Sequence, residues 1–128
     1  MNKFLRVIFI LLILAMLGAA MIQIFQPQLL GNESIYGLAP YWQREIGFWN
    51  LAILPLAIAA NIKYDWFYLR MTLLALILGG LGFGTNHLLA YLEKANQANL
   101  VGWIENYLLV FCWIIGWVLE SRKEKIDI

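Results

Sequence analysis

Four long apolar segments constrain this chain more than any other feature of its sequence. They cover residues 4–25, 43–61, 66–92 and 101–119. Each has about 19 residues or more, which is enough to cross a hydrocarbon core of about 30 Å at a rise of about 1.5 Å per helical residue. None alternates polar and apolar residues over about ten positions, as the strands of a membrane barrel do. The sequence therefore predicts an all-α fold, an integral membrane four-helix bundle.

The composition supports a lipid environment. Hydrophobic residues make up 62% of the 128 residues and charged residues only 13%, whereas soluble domains are about half apolar and about a quarter charged. The net charge of +1 and the lack of a basic cluster give no reason to expect a nucleic-acid partner. The single Cys112 excludes an internal disulfide. We expect one transmembrane domain over residues 1–128, with the lipid bilayer as its first partner.

The first segment has a second interpretation. A basic start, an apolar run and the small residues of "GAA" together resemble a secretory signal peptide. We count this segment as a membrane helix.

The basic residues predict the orientation. Two of the nine basic residues, Arg44 and Lys94, lie on one side of the predicted helices. The other seven lie on the opposite side: Lys3, Arg6, Lys63, Arg70, Arg122, Lys123 and Lys125. The positive-inside rule then places both termini in the cytoplasm of a bacterial cell, in its inner membrane. The loop 26–42 would lie outside, where we expect it to fold onto the membrane face as a short interfacial segment. Asp65 is expected to cap the third helix.

Polar residues from all four helices fall at one level. Each of four residues lies 17 or 18 positions from a basic residue at the cytoplasmic end of its own helix, which corresponds to about 25–27 Å; they are Gln23, Glu45, His87 and Glu105. Asn86 and Asn106 share this level, and Asn50 lies one to two turns deeper. The five residues predicted to bind a ligand at this level, near the outer leaflet, are Glu45, Asn50, Asn86, His87 and Glu105.

Helical spacing predicts which faces pack together. On the third helix, small residues share one stripe with the histidine: Gly80, Gly84, His87 and Tyr91. On the fourth helix the expected packed stripe is Gly102, Glu105, Leu109, Cys112 and Gly116, with Trp113 and Trp117 turned toward lipid or a partner. On the second helix the expected packed stripe is Glu45, Trp49, Ala52, Leu56 and Ala59. Ionisable residues inside membrane segments usually face partners or water.

The polar residues at this depth are compatible with four functions. The side chains can serve as polar bonds between helices. Glu45, His87 and Glu105 can form a metal site for zinc, iron or manganese, although the Glu-x-x-His pairs of di-iron bundles are missing. Two carboxylates beside an imidazole can also form a proton site or a pocket for a small polar ligand. Finally, His87 can be the axial ligand of a porphyrin or chlorin.

Two stretches, "REIGFWNLAILPLAI" and "GFGTNHLL", resemble the small four-helix bacterial membrane proteins grouped with the DoxX-like families. The resemblance covers about residues 5–120. It implies a four-helix bundle with a polar site near one membrane face and implies no known reaction. It marks Glu45, Asn50 and His87 as positions of interest.

The sequence as a whole predicts a small polytopic inner-membrane protein. We expect a non-catalytic accessory subunit of a larger membrane complex, with other membrane subunits as partners, or a stand-alone bundle with a polar pocket near the outer leaflet. The alternative is a membrane-embedded enzyme that binds a metal, a pigment or a small ligand through Glu45, His87 and Glu105. The sequence identifies no cofactor and no catalytic residue, and it leaves open whether the protein is an enzyme.

Overall fold

The structure is a computed structural model that describes residues 1–32, 34 and 37–126. These residues form five helices and no strand: α1 (Lys3–Phe25), α2 (Pro27–Gly31), α3 (Pro40–Ile62), α4 (Trp66–Glu93) and α5 (Gln97–Ile126). Helices α1, α3, α4 and α5 are long and apolar enough to cross a membrane. The all-helical class and the four long apolar helices are therefore confirmed for the described residues.

Helix α5 is longer than the sequence predicted at both ends. At its start, the backbone N–H of Asn99 donates to Oδ1 of Asn96 at 2.8 Å, which satisfies one of the free N–H groups of the first turn. At its other end the helix runs on to Ile126. The apolar run stops at residue 119, but glutamate, arginine and lysine are good helix formers and continue the helix beyond it.

Local signals set the other helix limits. The predicted cap of α4 is confirmed, because the N–H of Tyr68 donates to Oδ1 of Asp65 at 2.8 Å. The expected short segment in the loop 26–42 is present as α2, which contacts both α1 and α3. Gly31 ends α2 directly beneath the backbone carbonyl of Leu38, so a larger residue there would clash with the returning loop.

The long helices associate as two pairs. Helix α1 packs along α3, and α4 packs along α5, whereas α1 meets α5 and α3 meets α4 over much shorter stretches. We call the half in which α1 begins and α5 ends the termini end (residues 1–13, 54–77 and 109–126). We call the opposite half the loop end (residues 14–32, 34, 37–53 and 78–108).

The apolar core draws on both pairs and lies at the termini end. Its buried members are Leu5, Phe9, Ala57, Ala60, Leu69, Leu73 and Trp113. The rings of Phe9 and Trp113 lie 5.0 Å apart and join α1 to α5. The prediction that Trp113 and Trp117 face lipid or a partner is wrong, since Trp113 is only 2% exposed and Trp117 packs against the same core. The large indole fills the space where the four helices converge.

Small residues make the contacts at the loop end. A Cβ added at Gly84 would lie 2.6 Å from the ring of Tyr107, and one at Gly102 would lie 2.6 Å from Cγ of His87. A Cβ at Gly47 would lie 2.8 Å from Cγ1 of Ile24 on α1. The predicted packed stripe of Gly84 and His87 is thus confirmed, and its partner is α5.

The predicted packed face of α3 is wrong. The buried residues of this helix are Gly47, Leu54, Ala57 and Ala60. Every residue of the predicted stripe is exposed, with Trp49 at 71% and Leu56 at 48%. Small residues occur on both faces of α3, and the face carrying Gly47 permits the closer approach to α1.

Candidate functional site

The five residues predicted to bind a ligand are divided between the two helix pairs. Glu45 and Asn50 lie on α3, Asn86 and His87 on α4, and Glu105 on α5. Glu45, Asn86 and Glu105 are exposed, whereas Asn50 and His87 are half-buried. Among the described residues, no group of three His, Cys, Asp or Glu side chains could hold a metal ion. A ligand-binding role for these five residues stays a prediction.

Asn50 joins the two helices of the first pair. Its side-chain N–H donates to Oε1 of Gln23 at 2.8 Å, and Gln23 is one of the few buried polar side chains. One turn away, Gly47 brings the backbones of α3 and α1 together. Nε of Arg44 donates to the carbonyl of Ile24 at 3.3 Å, near the end of α1. These contacts hold α1 against α3, as expected if Asn50 serves as a polar bond between helices.

His87 belongs to the packing of the second pair. A Cβ added at Gly102 would lie 2.6–2.8 Å from three atoms of the His87 imidazole, so no side chain fits between the ring and Gly102. Asn106, which shares the predicted polar level, donates to the carbonyl of Gly102 within its own helix at 2.7 Å. Close to His87 in the sequence, the hydroxyls of Thr85 and Tyr107 are hydrogen-bonded across the pair at 2.8 Å. The imidazole therefore packs directly against a glycine of α5 at one of the tight contacts between α4 and α5.

Glu45 lies in a shallow surface groove of α3. Phe48, Trp49 and Ala52 line the groove with it. Within the described residues, no hydrogen bond or ion pair engages the Glu45 carboxylate. The adjacent Arg44 is occupied elsewhere, because its guanidinium also lies 5.5 Å from the ring centroid of Tyr41. This surface of α3 therefore presents an exposed carboxylate bordered by aromatic rings.

A second polar cluster, at the termini end, centres on a carboxylate that sequence reasoning missed. Glu120 of α5 is fully buried. Its Oε2 accepts hydrogen bonds from the backbone N–H of Asn2 at 2.6 Å and from the Asn2 side chain at 2.7 Å. Its Oε1 lies 3.6 Å from the amino group of Met1 and 4.0 Å from Nζ of Lys123. This carboxylate fixes the start of α1 to the end of α5.

The turn between α3 and α4 is attached to the same part of α5. The hydroxyl of Tyr64 donates to the carboxylate of Glu124. Partial desolvation of the phenol, and its bonds to the carboxylates of Glu124 and Glu120, raise the pKa of Tyr64 above its ordinary value. The phenol therefore stays a proton donor at neutral pH. Nζ of Lys123 lies 5.8 Å from the centroid of the same ring.

Glu120 was missed because the sequence places it just beyond the last apolar segment. A glutamate followed by a serine and several basic residues is typical of a solvated tail. Asn2 and Glu120 lie 118 positions apart, and no local pattern in the sequence links them. One half of the pair had a local signal. Asn2 is a typical helix-capping residue just before α1, and its side chain accepts from the N–H of Leu5 at 2.9 Å.

Comparisons with known protein families, with curated proteins and with solved structures find no match to this chain.

Proposed function

We propose that this chain is a small non-catalytic protein of the bacterial inner membrane that acts as an accessory subunit of a larger membrane complex. The observation that supports the proposal is how the described chain uses its buried polar side chains. There are three, Gln23, Asn99 and Glu120. Gln23 accepts from Asn50, Asn99 donates to the carbonyl of Lys94, and Glu120 accepts from Asn2. Each holds one part of the framework to another, as polar groups between membrane helices commonly do.

The exposed surface is consistent with an accessory role. At most 22% of the most apolar 18-residue window of any spanning helix is buried within the chain. Lipid can cover most of this surface. This exposed surface also includes the aromatic residues of α3 at the loop end. Aromatic side chains are enriched at the membrane–water interface and at protein–protein interfaces.

The proposed topology has both termini in the cytoplasm and the loop end in the outer leaflet. Its support is the excess of seven basic residues at the termini end over two at the loop end. Reporter fusions after residue 96 and after residue 128 test it. We expect an externally active reporter to work only at residue 96. The same result at both positions would contradict the topology.

The subunit role is tested by the size of the native assembly. A tagged chain, produced at its natural level and extracted with a mild detergent, should migrate well above the mass of the 14.7 kDa chain alone. Native mass spectrometry would then identify other membrane proteins in fixed ratio to it. A monomer that carries a stoichiometric metal or pigment would contradict the proposal and favour the enzyme that uses Glu45, His87 and Glu105.

A further inference from the structure

The exposed face of α3 at the loop end combines a carboxylate with large aromatic side chains. Its residues follow helical spacing on the side of α3 that faces away from α1: Tyr41, Glu45, Phe48, Trp49 and Ala52. We call this surface the Glu45 face. Tyr41 is 78% exposed and Phe48 is 59% exposed. Ala52 is short, so the groove beside Glu45 continues along the helix between the larger rings.

In the proposed orientation, part of this face lies below the membrane surface. Tyr41 and Trp42 begin α3 at the level where aromatic residues contact lipid headgroups. Glu45 follows one turn later, and Trp49 lies about 10 Å deeper than Trp42 along the helix axis. The backbone of Trp49 therefore lies in the depth range of the acyl chains, which offer few hydrogen-bond acceptors to a polar group.

Within the residues that the structure describes, no ion pair neutralises the Glu45 carboxylate. Arg44 is engaged by the carbonyl of Ile24 and by the ring of Tyr41. Lys94, the other basic residue of the loop end, lies on the second helix pair, at the end of α4. Ionisable side chains within membrane segments almost always pair with another group or face water in a cavity. In the proposed orientation Glu45 lies just below the headgroup level, where a cation supplied by another molecule would pair with it more strongly than in bulk water.

A second copy of this chain does not supply that cation. Two copies inserted in the same direction and related by a two-fold axis would pair the same surface of each copy. Pairing centred on Glu45 would then place the two Glu45 carboxylates on either side of the axis, close to each other. Two like charges in a poorly hydrated interface repel each other, so the complementary partner is a different protein.

We propose that the Glu45 face binds a transmembrane helix of a different membrane protein, which carries a lysine or arginine at the depth of Glu45. The partner's cation forms an ion pair with the carboxylate, and its helix packs in the groove over Ala52 between Phe48 and Trp49. This inference rests on the proposed accessory role and specifies the chemistry of the partner.

Two synthetic helices test the inference without knowledge of the natural partner. Each is a 23-residue leucine–alanine transmembrane peptide, one with a lysine at the fifth residue and one with leucine there. The full chain, labelled with a donor fluorophore at its C-terminus, is reconstituted into phosphatidylcholine vesicles with acceptor-labelled peptide. Energy transfer then measures association. We expect the lysine peptide to bind about five- to tenfold more tightly than the leucine peptide.

Two substitutions locate the effect. Glu45→Gln should abolish the preference for the lysine peptide, because the amide carries no charge. Glu105→Gln should retain the preference, because Glu105 is equally exposed at the same predicted level but lies on α5, outside the groove. Both positions are exposed, so both variants should fold, which the helical circular dichroism of the reconstituted chains verifies.

Several results would overturn the inference. Equal binding of the two peptides, or a preference that survives Glu45→Gln, would exclude recognition of a cation by this face. Energy transfer between two copies of the chain that Glu45→Gln abolishes would show that the face serves self-association instead. A native assembly confined to one chain would contradict the accessory role but leave the peptide preference intact, so the two proposals fail separately.

Discussion

The two ends of the molecule are built from different kinds of contact. At the termini end, large apolar side chains from α1, α4 and α5 fill a common core, and a buried carboxylate joins the first helix to the last. At the loop end, glycines let helices approach only within each pair, at Gly47 in the first and at Gly84 and Gly102 in the second. One end therefore unites four helices, and the other consists of two neighbouring pairs.

We infer from this difference that the termini end contributes most to stability and that the exposed faces of the loop end contribute to association. At the termini end, Glu120 and Tyr64 are hydrogen-bonded within the protein, whereas Glu45 and Glu105 at the loop end stay exposed. Substitutions at the termini end should destabilise the whole molecule. Substitutions on the exposed faces of the loop end should leave stability nearly unchanged and affect association.

The largest expected effect is that of Trp113→Ala. Removing the indole leaves a cavity beside Phe9 at the point where the pairs meet, and we expect the free energy of unfolding to fall by about 3 kcal/mol. Unfolding in mixed micelles of increasing sodium dodecyl sulfate measures this change. Trp49→Ala is the matched control, since its indole is 71% exposed and should contribute less than about 0.5 kcal/mol. Equal losses would mean that the core is not concentrated at the termini end.

Glu120→Gln should have the next largest effect. The amide retains one acceptor for Asn2 but loses the charge that faces the amino group of Met1, and we expect a loss of about 2 kcal/mol. Glu124→Gln, whose bond to Tyr64 is exposed, should lower stability by less than about 1 kcal/mol. The same micelle titration compares them. If Glu124→Gln lowered the free energy of unfolding more than Glu120→Gln did, the buried Glu120 carboxylate would not be the main polar contact that joins the two helix pairs.

Gly84→Leu tests the contact within the second pair. The new side chain would push against the ring of Tyr107 and disturb its hydrogen bond to Thr85, so we expect a loss of about 1–3 kcal/mol. At Gly82 an added Cβ meets no atom within 4 Å, and Gly82→Leu should change stability little. Similar effects at the two glycines would contradict the tight approach of α4 to α5.

The smallest expected effect is that of Asn50→Ala. It removes one hydrogen bond between amides across α1 and α3, and such bonds are worth about 0.6 kcal/mol on average in a membrane protein. Asn106→Ala is the control, because its amide bonds within its own helix. A loss larger than that of Gly84→Leu would mean that the amide bond, and not close packing, holds the loop end together.

The sequence was sufficient to predict the four long apolar helices and some of their contacts. Length and hydropathy identified all four, Asp65 identified the start of α4, and the spacing of Gly80, Gly84 and His87 identified a packed stripe. These features depend on short-range chemistry: a cap within three residues, or small residues one turn apart. The structure confirms each of them.

The orientation of α3 could not be predicted in the same way. In water, the apolar side of a helix identifies the buried side, but α3 is apolar on nearly all sides, so hydrophobic periodicity cannot separate Gly47 from Ala52. Trp113 was misplaced for a related reason, because indoles suit both a core and a membrane interface. The association of Asn2 with Glu120 depends on the complete fold. The candidate site at Glu45 was identified from the exposure of its side chains, and that exposure is known only once the packing of α3 is known.

The separation into pairs also has a consequence for biosynthesis. In the proposed membrane topology, α1 can pair with α3 during translation as soon as residue 62 has entered the membrane, and α4 can pair with α5 later, each through contacts of short or moderate sequence separation. The bond between Asn2 and Glu120 has to wait until nearly the whole described chain has been made. Insertion should therefore pass through an intermediate in which the first hairpin is complete and the face it will offer to the second is still covered by lipid or by the insertion machinery.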